Sequence, residues 1–153
     1  MDLGLKGKRA VVLGGTRGIG RAIAETLAGE GAAVAICARN AGQVAETVAA
    51  LKARGVNATG GSVDITDAAA LKAWVKKAGE ELGGIDVLVS NAGAMAQGND
   101  PGSWTQNFNV DVLGAVNAFE AAEPFLKAAA EKNGDASFVL IASVSAAVAD
   151  MAG

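Results

Sequence analysis

Short, wholly apolar runs alternate along this chain with stretches whose apolar residues recur every three to four positions. Val11 to Leu13 is the first run, and Ile19, Ala22, Ile23, Ala24 and Leu27 follow it at helical spacing. Ala33 to Ala38 is a second apolar strand. Val44, Val48 and Leu51 mark a helix that ends near Gly55. Asn57 to Val63 reads as a third strand. Asp67 suits the N-cap of a helix carrying Leu71, Trp74, Val75 and Leu82, which Gly83 and Gly84 stop. Ile85 to Val89 is a fourth strand. A polar, Gly-containing stretch then leads to Pro101 and Gly102. One long helix is expected from Trp104 through Phe108, Val112, Val116 and Phe119 to Leu126, interrupted by Pro124 and ended by Gly134. Ser137 to Ala142 is a fifth strand.

Strands that are apolar throughout are buried on both faces, and strands alternating with helices make a parallel sheet between two helical layers. Right-handed crossovers then give a doubly wound α/β fold, here a Rossmann-like sheet in the order 3-2-1-4-5. No linker or repeat divides the chain, so residues 1–153 read as one domain. In such folds ligands lie at the carboxyl ends of the strands, at the switch point of the sheet.

The turn after the first strand holds Gly14, Gly18 and Gly20, spaced G-x-x-x-G-x-G. Strand, glycine turn and helix form the context of a dinucleotide-phosphate site. Glycine permits φ > 0 and a close backbone approach, and a helix N-terminus offers N–H groups and a positive dipole end to phosphate. The spacing is not the common G-x-G-x-x-G. The chain has 21 glycines, so the trio alone could equally be a tight, ligand-free turn.

Composition narrows the choice. At 51% hydrophobic and 19% charged the chain is globular, and a net charge of −3 without a basic cluster argues against nucleic acid or an anionic membrane as partner. No run is long enough for a signal peptide or a membrane span. Cys37 is the single cysteine, which fits a small core residue in a cytoplasmic protein. With no histidine and no cysteine cluster, a metal site is not expected.

The glycine loop, Arg39, Asp64, Asn91 and Ser143 each fall at or just beyond a strand end. Gly18-Ile19-Gly20, Asp64, Asn91-Ala92-Gly93 and Ser143, in that order, make the chain resemble the N-terminal, cofactor-binding part of a short-chain dehydrogenase/reductase. The resemblance implies an NAD(P)-dependent oxidoreductase acting on alcohols or ketones, usually a homo-oligomer. It implies cofactor contacts from Gly14, Thr16, Arg17, Gly18, Ile19 and Gly20. It places Asp64 and the backbone of Ile65 beside the adenine, and Asn91, Ala92 and Gly93 close to the cofactor. Ser143 resembles the catalytic serine that bonds the substrate oxygen, with Ser145 as its near competitor.

An acid at the end of the second strand would bond the ribose 2′-OH of NAD and repel a 2′-phosphate. That end reads Ala38-Arg39-Asn40. Arg39 stands about where the acid is sought, and a guanidinium there suits a phosphate. Arg17 is a second cation, so NADP is the expected cofactor.

The chain departs from the family pattern in three places. Leu13 precedes Gly14 where Thr is commoner. Asp111 occupies the position of the family's active-site Asn in N-x-x-G, and Asn109 points about 200° away on an α-helix turning ~100° per residue. There is no Tyr at all. The family's general acid/base Tyr, and the Lys four residues after it, would fall just past Gly153.

Two functional readings follow. One is the NADP-binding portion of an active reductase. The other is a truncated dinucleotide-binding or interaction module without catalysis. A methyltransferase-like nucleotide module is a third possibility, but it leaves Asn91-Ala92-Gly93 and Ser143 unexplained. Reading the gene beyond Gly153 separates the first two: a Tyr-x-x-x-Lys immediately downstream supports the reductase, and a stop codon supports the binding module.

Overall fold

The computed structural model describes residues 2–143. Five parallel strands, β1 (Arg9–Leu13), β2 (Ala33–Ala38), β3 (Ala58–Ser62), β4 (Val87–Ser90) and β5 (Ser137–Leu140), form one sheet in the order β3-β2-β1-β4-β5. The helices are α1 (Gly18–Gly29), α2 (Ala41–Lys52), α3 (Ala68–Leu82), α4 (Pro101–Asn107) and α5 (Gly114–Asn133), with a π-helical segment, Phe108–Leu113, joining the last two. The fold is the expected doubly wound, Rossmann-like α/β sheet.

The apolar runs of β1 and β2 follow from cover on both faces. Val11, Leu13, Ala35 and Cys37 point to one side and join a core with Leu71, Val75, Ala118 and Ala122 of α3 and α5. Ala10, Val12, Val34 and Ile36 point to the other and pack with Ala24, Leu27, Val44 and Leu51 of α1 and α2. Side chains alternate along a strand, so a strand between two helical layers is apolar at every position. The mixed sequence of β3 has a packing reason. A Cβ on Gly60 would come within 2.8 Å of Val44 and Val48, and one on Gly61 would collide with the Trp74 ring.

Strand boundaries differ from the sequence expectation by up to two residues, the ordinary uncertainty of chain ends. Larger differences lie in the C-terminal third. The expected long helix is three consecutive segments, and its irregularity is the π-helical stretch 108–113. Pro124 sits inside α5 without ending it. Phe108, Val112, Val116 and Phe119 are exposed. The buried face of α5 is built from Gly114, Ala115, Ala118, Ala122, Leu126 and Ala129, small residues that let the helix lie close to the sheet. β5, the edge strand, is exposed at every residue, and Phe138 meets Phe119 at a centroid distance of 5.3 Å.

At the amino ends of the strands sits a polar cluster that the hydrophobic pattern does not reveal. Asp86 is 2% exposed. Its Oδ2 accepts from the Arg9 amide and from Arg9 Nε, both at 2.8 Å, and its Oδ1 accepts from Arg9 Nη2 at 3.1 Å and from Asn133 Nδ2 at 3.0 Å. Arg9 Nη1 donates to the carbonyl of Gly83. The cluster therefore ties β1 to the turn before β4 and to the end of α5. Burial opposes ionisation of Asp86, but the Arg9 guanidinium and amide, with Asn133, outweigh it and hold the carboxyl below the usual carboxylate range.

Asp86→Ala leaves a half-buried guanidinium unpaired and is expected to lower unfolding free energy by about 3 kcal/mol in urea titrations. Because the folded-state pKa is depressed, the stabilisation is complete above the unfolded value of about 3.9 and is lost as pH falls through the folded value. The stability difference between the wild type and Asp86→Ala therefore shrinks below about pH 4. A difference that stays constant down to pH 2 would count against this account.

Candidate active site

At the carboxyl ends of the strands the loops after β1 and β4 lie side by side where the strand order reverses, the place at which folds of this kind form their ligand crevice. Three backbone segments meet there. Gly14 and Gly15 donate their amides to the carbonyl of Cys37, at 2.9 and 3.2 Å, so the glycine loop rests on the end of β2. Asn91 Nδ2 donates to the carbonyl of Gly14 at 3.2 Å, joining β4 to the same loop. A Cβ on Gly20 would collide with both the Gly14 carbonyl and the Asn91 amide, and one on Gly14 would lie 3.1 Å from Ala92 Cα. Gly20 is thus required by close packing, and Gly14 by its φ of +72° together with that tight contact. Gly18 is different: its φ is +54°, and an added Cβ would meet nothing within 4 Å.

The first turn of α1 follows the glycine loop. Arg17, at its N-cap, is extended and makes no side-chain capping bond. By contrast, Asn40, Asp67 and Asp100 cap α2, α3 and α4, each accepting a first-turn amide at 3.0 Å. Helix α1 therefore keeps its first-turn N–H groups and positive dipole end available to an anion. Arg17 is exposed beside it, Ile19 is 64% exposed, and Thr16 is buried with its hydroxyl 3.5 Å from Gln43 Oε1.

Arg39 is exposed beyond β2, and its carbonyl accepts from Ser62 Oγ at 2.8 Å. Asp64 Oδ1 accepts from the amide and hydroxyl of Thr66, at 3.0 and 2.8 Å. Those two bonds, with a smaller attraction from Arg39, hold the Asp64 carboxyl below its ordinary range. The Ile65 side chain turns into the core against Gly114. On the other side of β1, Asp111 Oδ1 accepts from the Ala94 amide at 2.9 Å. The π-helical backbone turns less per residue than an α-helix, so the 200° estimate does not apply there. Asp111 and Asn109 still diverge. Asn109 lines an open cleft of about 500 Å³ with Thr66, Pro101, Gly102, Thr105 and Gln106. Ser143 lies exposed just past β5, and Ser145 falls outside the described residues. Burial pushes the Cys37 thiol up to about 12, so it is inert as a nucleophile.

The family model for short chain dehydrogenases matches residues 8–152. The chain belongs to the short-chain dehydrogenase family. Isoepoxydon dehydrogenase of Penicillium expansum is 34% identical over 146 residues, which are 94% of this chain and 55% of that protein. Among solved structures, a short-chain dehydrogenase from Burkholderia cenocepacia in complex with NADP is 38% identical with a TM-score of 0.75, over 80% of this chain and 52% of the other. Carveol dehydrogenase from Mycobacterium avium in complex with NAD is 28% identical with a TM-score of 0.86, over 94% and 57% respectively. The chain thus spans about half the length of the curated relatives it matches.

The residues singled out from the sequence follow the carboxyl ends of their strands. Gly14 to Gly20 and Asn91 to Gly93 adjoin through the Asn91 bond, while Arg39 and Asp64 flank them beyond β2 and β3. Asp111 is joined to Ala94, on the loop that follows β4. Asn107 and Asp86 escaped the sequence reading. A Gly-x-Ile-Asp run before an apolar strand could have pointed to Asp86, but a lone Asn within a helical pattern carries no such signal. The described residues contain no group of three or more His, Cys, Asp or Glu placed to hold a metal. No described helix is long and apolar enough to cross a membrane.

The two kinds of glycine separate in mutagenesis. Gly20→Ala is expected to cost at least about 2 kcal/mol, because backbone must shift. Gly18→Ala is expected to cost about 1 kcal/mol, for its left-handed φ alone. Thermal unfolding of the two variants checks the order, and equal losses would refute it.

Proposed function

We propose that this chain binds NADP(H) across the β1–β4 switch point and belongs to an oxidoreductase that interconverts ketones and alcohols. The uncapped first turn of α1 carries the reading, since it is the one loop-fed helix start among α1 to α4 left open to an anion. The amides around Gly18, Ile19 and Gly20 hold the pyrophosphate. Arg17 and Arg39 take the 2′-phosphate. Asp64 and the backbone of Ile65 border the adenine. Asn91, Ala92 and Gly93 lead toward the nicotinamide.

When bound, the nicotinamide supplies or accepts the hydride. Ser143 donates its hydroxyl hydrogen to the substrate oxygen and stabilises charge that develops there. Asp111 contributes by holding the Ala94 amide. The proton exchange asks for a Tyr with a Lys neighbour, and this sequence contains no Tyr. A non-catalytic dinucleotide-binding module is the second reading.

A homo-oligomer is part of the proposal, supported by the exposed apolar stripe of Trp104, Phe108, Val112, Val116 and Phe119. A cytoplasmic location is part of the proposal, supported by the single cysteine, Cys37, being a buried free thiol.

Isothermal titration of the chain with NADP and NAD tests the cofactor assignment. NADP is expected to bind more tightly. Arg17→Ala and Arg39→Ala are each expected to weaken NADP about tenfold while leaving NAD nearly unchanged, the scale of one charge-assisted contact. Equal affinity of the wild-type chain for the two dinucleotides would overturn the NADP assignment.

A further inference from the structure

Residues 91–98 follow β4 without regular secondary structure, yet two side chains of the helix opposite pin them at alternate positions. Asp111 Oδ1 accepts from the Ala94 amide at 2.9 Å. Asn107 engages Ala96 twice: its Oδ1 accepts from the Ala96 amide, and its Nδ2 donates to the Ala96 carbonyl, both at 3.0 Å. One primary amide thus satisfies both the donor and the acceptor of a single backbone residue, which fixes orientation as well as distance. Met95 stands between the two pins with φ +54°. Its side chain is 84% exposed, so packing does not hold this conformation. A left-handed non-glycine residue is strained and persists only where its surroundings over-determine it. Here the surroundings are the hydrogen bonds on either side.

We infer that Asn107 is a positioning residue, which, with Asp111, holds residues 94–96 in the shape that borders the nicotinamide half of the bound dinucleotide. The inference rests on the dinucleotide reading given above. The sheet order supplies the polarity. Arg39 and Asp64, on the β2–β3 side of β1, belong with the adenosine half, so the dinucleotide crosses the glycine loop toward β4, from which this segment continues. An aliphatic residue at position 107 would leave the Ala96 amide and carbonyl without these partners, and the segment would lose the bonds that fix Met95. The adenosine half would be untouched.

The test combines amide hydrogen exchange with titration of two probes, NADP and adenosine 2′,5′-bisphosphate, which lacks the nicotinamide half. In Asn107→Leu the Ala96 amide is expected to exchange about tenfold faster, the effect of losing one hydrogen bond, while the Ala94 amide keeps its rate. NADP is expected to weaken about fivefold or more, and the bisphosphate is expected to bind as to the wild type. Asn107→Asp keeps the acceptor for the Ala96 amide and loses the donor, so its values should fall between. Unchanged Ala96 exchange, unchanged NADP affinity, or a parallel loss of both probes would each overturn the role of Asn107. If the unsubstituted chain binds neither probe, the dinucleotide reading fails, and this role fails with it. Binding of both probes without the split removes only the role of Asn107.

Discussion

The closest constraint in the molecule is the meeting of Gly14, Gly20 and Asn91. The Asn91 amide bonds to the Gly14 carbonyl, and Gly20 lies beneath both without room for a Cβ. The start of α1 is thereby held against the ends of β1 and β4. Gly14 and Gly15 add two bonds to the end of β2, so one loop is fixed to three neighbouring strands. What the site can do depends on that rigidity. A helix start can hold an anion only if its amides stay in place, and here packing and hydrogen bonds keep them there.

The two ends of the sheet solve opposite electrostatic problems. At the amino ends the Asp86 carboxylate is removed from solvent, and Arg9 and Asn133 pair with it. At the carboxyl ends the polar groups are left accessible: Arg17, Arg39 and Asp64 are exposed, and no side chain caps α1. A buried charge needs its partner within the fold, whereas a binding site must keep groups free for a ligand. The contrast explains why one polar cluster reads as structural and the other as functional.

Cover is also uneven across the sheet. β1 and β2 are enclosed between helical layers, while β5 and the outer face of α5 stay exposed, with Phe119 and Phe138 touching each other at the margin. The matched part of this chain spans about half the length of the relatives it matches. In the proposed reading the phosphate, 2′-phosphate and adenine contacts come from the glycine loop, Arg17, Arg39 and Asp64, toward the β2–β3 side of the sheet. On the other side of β1 lies the segment pinned by Asn107 and Asp111.

The sequence by itself determined the strand order, the cores of β1 and β2 and the positions of the glycine loop, Asp64 and Asn91-Ala92-Gly93. These are matters of local pattern: an apolar run, a glycine spacing or a polar residue at a strand end is visible wherever the chain happens to pass. Only the tertiary structure decided what depends on residues distant in the chain. The burial of Asp86 requires Arg9 and Asn133. The clamp of Asn107 requires Ala96 to lie opposite it. The exposure of Phe108 and Val112, on a helix that is apolar on more than one face, follows from small residues taking the inner face of α5 and from a π-helical segment that shifts the periodicity. A one-dimensional pattern records which residues are apolar, but only the packed neighbours determine which of them are covered.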